Sequence, residues 1–136
     1  MIVDTSALLA FFNAQEPQHD DVTAALSGNG HGPLVVSPYV LAELDYLVAT
    51  RVGVEAELAV LRELASSAWE LSTFGRNDVD SAVVIIAKHA DQAVGLADAS
   101  LVVLAKRYDT KTIATLDRRH FSTLRPLDGG RFTLVP

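Results

Sequence analysis

Four carboxylates stand where apolar sequence gives way to a loop or to the start of a helix. Asp4 follows Ile2-Val3, Glu43 lies in the first turns after Ser37-Pro38, Asp98 follows "VGLA" and Asp117 follows "TIATL". Carboxylates gathered in one place repel, and each raises its neighbours' pKa unless a cation sits among them. There is no cysteine, and His19, His31, His89 and His120 share no metal-ligand spacing. An oxygen-only set of this kind selects a hard cation, Mg²⁺ or Mn²⁺. Such a site clamps phosphate and activates a water for in-line attack on phosphorus. Ser6 is placed to bond Asp4 or a phosphate, and Thr115 alternates within its strand so that it can point into the same site. Arg118, Arg119 and His120 directly follow Asp117, where they can hold a nucleic-acid backbone.

Each of these residues has a plainer reading. An Asp just before a helix is ordinarily an N-cap, which would account for Asp4 or Asp98 taken singly. Glu43 alone reads as a solvated helix residue, Asp117 alone as a turn aspartate, and Ser6 as a helix start. Arg118 to His120 read equally well as a solvated basic turn. Four acids at strand ends and helix starts are harder to explain by capping. By contrast Asp45, Asp78, Asp80, Glu55, Glu57 and Glu63 read as exposed helix faces, and Phe11, Phe12 and Trp69 as core. No GxGxxG, P-loop or GxSxG run occurs, which removes the usual support for nucleotide-binding and serine-hydrolase readings.

The elements must bring the acids together. Ile2 to Asp4 reads as a short buried strand, followed by a helix from about Ser6 to Phe12. Pro17 to Leu26 has helical spacing and ends in the turn-rich "SGNGHGP". Leu34 to Val36 is a second strand, after which Ser37 as N-cap and Pro38 at N1 start a helix that ends near Gly53. Val54 to Ser66 is a further amphipathic helix, and Trp69 to Phe74 alternates like a strand. Asn77 is expected to cap a helix running to about Ala90. The loop "DQAVGLAD" leads into a helix over Ala97 to Tyr108, apolar all round at its centre. Thr112 to Leu116 reads as a strand, "DRRHF" as a short turn or helix, and Phe132 to Val135 as an edge strand. This alternation implies an α/β fold with a mostly parallel sheet of about five short strands and helices on both faces. In such sheets, sites form at the carboxyl ends of the strands, so that the strand ends at Asp4 and Asp117 and the helix starts at Asp98 and Glu43 would meet along one edge.

With 136 residues, 49% hydrophobic side chains and a mean hydropathy of +0.24, the chain has the size and apolar content of one domain over residues 1–136. No segment approaches the length needed to cross a bilayer, and no early basic cluster marks a signal peptide. The absence of cysteine fits the reducing cytoplasm. A net charge of −6 gives no support to a broad basic nucleic-acid surface, yet seven of the 11 Lys and Arg follow residue 100.

"IVDTSALLA", "SPYVLAEL" with Glu43, "GLADASLVVLA" with Asp98 and "TIATLDRRHF" with Thr115 and Asp117 together resemble a PIN domain. The four pieces occur in the family's order across essentially the whole chain, and the compact length resembles the VapC-type toxins of bacterial toxin–antitoxin pairs. The resemblance implies a Rossmann-like α/β/α fold and a Mg²⁺- or Mn²⁺-dependent endoribonuclease. By motif, Asp4, Glu43 and Asp98 would be the core metal-binding acids and Asp117 the fourth, with Ser6 and Thr115 as the supporting hydroxyls. It further implies cleavage of structured RNA in tRNA or ribosomal RNA loops, a homodimer, and a cognate antitoxin that holds the toxin inactive. Two rival readings use the same fold class. A non-catalytic binding module would keep the fold but need not keep all four acids. A phosphoacceptor receiver-like domain would want paired acids after the first strand and a late Lys, and Asp4 is single.

Overall fold

The computed structural model describes every residue except Asn29 and His31. Part of the "SGNGHGP" turn and the position of His31 therefore lie outside the described residues. The elements in order are β1 (Ile2–Val3), α1 (Thr5–Phe12), α2 (His19–Ser27), β2 (Leu34–Val36), α3 (Pro38–Arg51), α4 (Val54–Leu64), β3 (Trp69–Leu71), α5 (Arg76–Lys88), α6 (Leu96–Arg107), β4 (Thr112–Ala114), α7 (Arg118–Phe121) and β5 (Thr133–Val135). A single turn of 3-10 helix, Ala90–Gln92, joins α5 to the loop before α6.

The five strands form one all-parallel sheet in the order β3-β2-β1-β4-β5, flanked by the helices. The strand β1 lies in the middle, with Ile2 and Val3 opposite Val35 and Val36 on one side and Ile113 and Ala114 on the other. From β1 the chain winds outward to β2 and β3, then returns to lay β4 against the other edge of β1. The connections leaving β1 and β4 thus diverge, which opens a crevice beyond their carboxyl ends. Asp4 and Thr115 are the first residues past those ends.

The core forms where periodicity demands it. In α6, Ala99 to Ala105 are all buried, with Leu101 and Leu104 fully so. A helix apolar on every side must be covered on every side, and each fully buried Leu contributes about 1.5–3 kcal/mol. The capping of α3 is as its sequence indicates: Tyr39 N donates to Ser37 Oγ (3.2 Å) and Pro38 occupies the first turn. The start of α5 differs. Gly75 rather than Asn77 is its N-cap, because the Asp78 carboxylate reaches back to accept from Gly75 N (2.8 Å). Asp78 also accepts from Arg107 Nη2 (2.6 Å), so it ties α5 to α6 and is more than a solvated face. The Gly75 amide and then Arg107 hold its carboxyl below the usual carboxylate range. Trp69 is buried, stacked edge-on to Phe11 at 5.5 Å between ring centres, and its indole N–H donates to Glu63. Phe11 and Phe12 are half-buried against that core. No helix among the described residues is long and apolar enough to cross a membrane.

Between α3 and α4 the chain turns at Gly53, with φ +133° and ψ 178°. That backbone region is essentially restricted to glycine. A methyl group there would touch nothing within 4 Å, so any penalty is conformational. Gly53→Ala is expected to lower the unfolding free energy by about 1–3 kcal/mol, measured by urea denaturation with no change in slope.

Candidate active site

The crevice beyond β1 and β4 is organised around Asp4. Its backbone N–H still pairs with Ala114 O (2.9 Å), so the residue is fixed as the last rung of the sheet. It holds the N-cap position of α1, yet its side chain caps nothing there. Instead Asp4 Oδ2 accepts from Thr115 Oγ1 (2.7 Å) and Ser6 Oγ (2.9 Å). Each hydroxyl in turn accepts a backbone N–H, Ser6 from Leu116 (2.9 Å) and Thr115 from Asp117 (3.1 Å). The loop after β4 therefore donates into two hydroxyls that both donate into one carboxylate, a polarised arrangement in a low-dielectric setting. Asp4 is 8% exposed and Thr115 fully buried. Burial pushes the Asp4 carboxyl above its ordinary range, the hydroxyls of Thr115 and Ser6 and the backbone N–H of Thr5 pull it back, and the field of Glu43 pushes it up further.

Asp98 is the third residue of α6, whose N-cap is Gly95, so capping does not explain it either. Its Oδ2 lies 2.6 Å from His120 Nδ1. Burial raises the Asp98 carboxyl, the neighbouring His120 opposes this, and the charges of Asp4 and Asp117 add to the rise. Glu43 lies on α3 with its side chain exposed and contributes through its field on Asp4. Asp117 is an N-cap: it accepts from Arg119 N (3.2 Å) at the start of α7. The same carboxylate also receives the Arg119 guanidinium, and that pairing holds it below the usual range.

The four acids therefore share one electrostatic neighbourhood, with Asp4 deepest and Asp98 feeling both Asp4 and Asp117. Among the described residues no three acid or imidazole groups close tightly enough to form a finished ligand set as they stand. By donor chemistry the set suits a hard divalent ion: every acid offers oxygen, and two carry a raised pKa that a cation would relieve. His120, set by sequence reasoning either beside the acids to hold a nucleic-acid backbone or in a solvated basic turn, has a partner the sequence did not indicate. Its imidazole faces Asp98, not solvent, and no spacing in the chain links positions 98 and 120; only the return of β4 beside β1 does. His19 and His89 bond the carbonyls of Ala10 and Ile85 and serve the fold. Arg118 donates to the Pro136 carbonyl.

The sequence model described as PIN domain matches residues 1–125. The chain belongs to the PIN domain family. It is 62% identical to Ribonuclease VapC26 of Mycobacterium tuberculosis over 136 residues, the whole of both chains, and so falls among the VapC ribonucleases of toxin–antitoxin pairs. Solved structures share the fold at low identity. VapC20 of Mycobacterium tuberculosis, a sarcin–ricin loop cleaving toxin, superposes with a TM-score of 0.78 at 19% identity, over 93% of this chain and 97% of that one. VapBC2 from Rickettsia felis, bound to a DNA fragment from its promoter, gives 0.73 at 18% identity over 99% and 98%. FitAcB from Neisseria gonorrhoeae gives 0.66 at 20% identity over 97% and 96%. In this PIN domain the order of the sheet explains why the acids sit as they do, since the crevice exists only where β1 and β4 part.

Proposed function

We propose that this PIN domain, acting as one unit over residues 1–136, is a Mg²⁺- or Mn²⁺-dependent endoribonuclease toxin. It cuts structured RNA, in a tRNA or ribosomal RNA loop, and thereby stops translation in the cytoplasm. The observation that carries this reading is the buried Asp4 carboxylate, held by two hydroxyls, raised in pKa by burial and by the field of Glu43, and itself raising Asp98, which also feels Asp117. Asp4, Glu43, Asp98 and Asp117 would hold the ion, which when bound supplies charge neutralisation at phosphorus and a more acidic water. Ser6 and Thr115 hold the deepest carboxylate in place through one of its oxygens. Arg118 and Arg119 supply cations for the RNA backbone. The net charge of −6 makes that interaction local and salt-sensitive.

A partner that silences the enzyme fits the surface beside the crevice. A groove of about 530 Å³, lined by Leu9, Phe12, Leu47, Val48, Val52 and Val60 among others, reaches Ser6 itself. An apolar segment of a cognate antitoxin lying there would end beside the acids, where a basic side chain would be attracted. Exposed Val83 and Val84 on α5 support self-association as a homodimer.

The test is cleavage of total tRNA and ribosomal RNA by the antitoxin-free protein in Mg²⁺, Mn²⁺ or chelator, with product ends sequenced. Discrete cuts bearing 5′-phosphates, seen with metal and missing in Asp98→Asn, are the expected result. Cuts that persist in chelator and in Asp98→Asn, or that end in 2′,3′-cyclic phosphates, would overturn the assignment.

A further inference from the structure

Two of the four acids are already engaged by basic side chains of the chain itself, and both come from consecutive positions on α7. Asp117 is gripped at both oxygens: Arg119 Nε lies 3.1 Å from Oδ1 and Nη2 2.9 Å from Oδ2, and the backbone N–H of Arg119 also reaches Oδ1 at 3.2 Å. Asp98 Oδ2 is covered by His120 Nδ1 at 2.6 Å. Neither contact is needed to build α7, whose N-terminus is capped by Asp117 through the backbone amide alone. Nor is the Arg119 side chain packed into anything, being 84% exposed.

We propose that Arg119 and His120 form an internal latch on the acid site. In the metal-free protein they occupy Asp117 and Asp98, a divalent ion must displace them, and the displaced Arg119 then takes an RNA phosphate. The inference rests on the functional reading above and deepens it by linking the ion to the RNA. A guanidinium fork and a divalent cation compete for the same two carboxylate oxygens, because the two positive charges repel at that distance. Displacement costs little, since an exposed ion pair is weakly held. The released fork stays on the rim of the crevice, and its planar donors suit a phosphate as well as a carboxylate. Binding of the two ligands is then cooperative. The ion frees Arg119 for RNA, and RNA that holds Arg119 removes the ion's competitor, by the same factor in each direction.

The experiment is Mn²⁺ binding to the metal-free full chain, followed by electron paramagnetic resonance of the free ion, in wild type, Arg119→Ala, Arg119→Lys, Asp117→Asn and the Asp117→Asn/Arg119→Ala double variant. Arg119→Ala is expected to bind Mn²⁺ about two- to fivefold more tightly, the range of an exposed pair released. Arg119→Lys keeps the charge but not the fork, and should also bind more tightly than wild type. In the Asp117→Asn background the gain from Arg119→Ala should vanish. With a phosphorothioate RNA hairpin as probe, Arg119→Ala should weaken RNA binding in Mn²⁺ but not in chelator.

The failures are separable. If wild type binds no Mn²⁺, or binds it as well after Asp98→Asn, the functional reading itself falls. If Asp98→Asn loses the ion but Arg119→Ala gains nothing, the latch alone is refuted. A gain that persists without Asp117 also refutes it, because Arg119 would then act only as a distant charge.

Discussion

Asp4→Asn is expected to cut RNA at less than about a thousandth of the wild-type rate, because the charge stabilisation an ion supplies at phosphorus is worth several kcal/mol. The same substitution should leave the metal-free protein at least as stable as wild type. Asparagine offers an oxygen where Asp4 Oδ2 now accepts from Ser6 and Thr115, so those hydroxyls stay satisfied. What it removes is a buried charge. The folded Asp4 carboxyl has its pKa raised, chiefly by burial, and Asp98 is raised in the same sense. Between the ordinary carboxylate range and those raised values the folded chain binds more protons than the unfolded one, so stability falls as pH rises through that window. Asp117, with a lowered pKa, contributes the opposite sign, as stability lost when pH falls through its folded value; its surface position keeps that share small. Melting curves in chelator from about pH 4 to pH 8 should therefore decline for wild type and decline less for Asp4→Asn. A variant that cuts normally would remove Asp4 from the site, and one that melts far below wild type would make it a structural residue.

Thr115→Val should damage both fold and chemistry. The hydroxyl is fully buried, donates to Asp4 and accepts from Asp117 N. A valine of the same shape leaves the Asp117 amide without its acceptor and takes from Asp4 Oδ2 one of its two hydroxyl donors, at a cost of about 1–3 kcal/mol, or roughly 4–12 °C in Tm for a chain of this size. Cleavage should fall by about ten- to a hundredfold, since misplacing one catalytic group by an ångström costs on that order. Ser6→Ala, beside it, should lose less, because Thr115 still holds Asp4. Equal losses from the two variants would mean that neither hydroxyl is the main support.

The sheet and the acids were legible because they rest on local signals. Short apolar runs such as Leu34 to Val36 and Thr112 to Leu116 read as strands, the latter two residues longer than β4 proves to be, and Asp4 and Asp117 follow such runs directly. Boundaries slipped where a side chain decides them at short range. Asn77 looked like the cap of α5, but Gly75 takes that place because Asp78 bonds backward to it. Trp69 to Phe74 read as a longer strand than Trp69–Leu71, since the run continues to alternate after pairing with β2 stops. The plainer reading of Asp4 and Asp98 as caps could be set aside only in three dimensions, where neither carboxylate makes the capping hydrogen bond of its helix and Asp4 is held chiefly by Thr115 and Ser6. His120 was out of reach for the same reason. Its partner is defined by topology, and an exposed basic turn and a latch on an acid site are spelled alike.

The pair Asp4 and Thr115 is separated by 111 residues in the chain, though their side-chain oxygens are 2.7 Å apart. A ribosome makes the carboxylate first and its hydroxyl partner several seconds later, roughly 6–22 s at ordinary elongation rates. Throughout that interval β1 has no β4 to lie against, and the crevice does not exist. A chain abandoned part-way, or clipped between α6 and β4, carries the first acid but lacks its setting. Such a fragment is therefore expected to lack nuclease activity. The enzyme is completed all at once, late in its own synthesis, which gives a partner made alongside it time to be present.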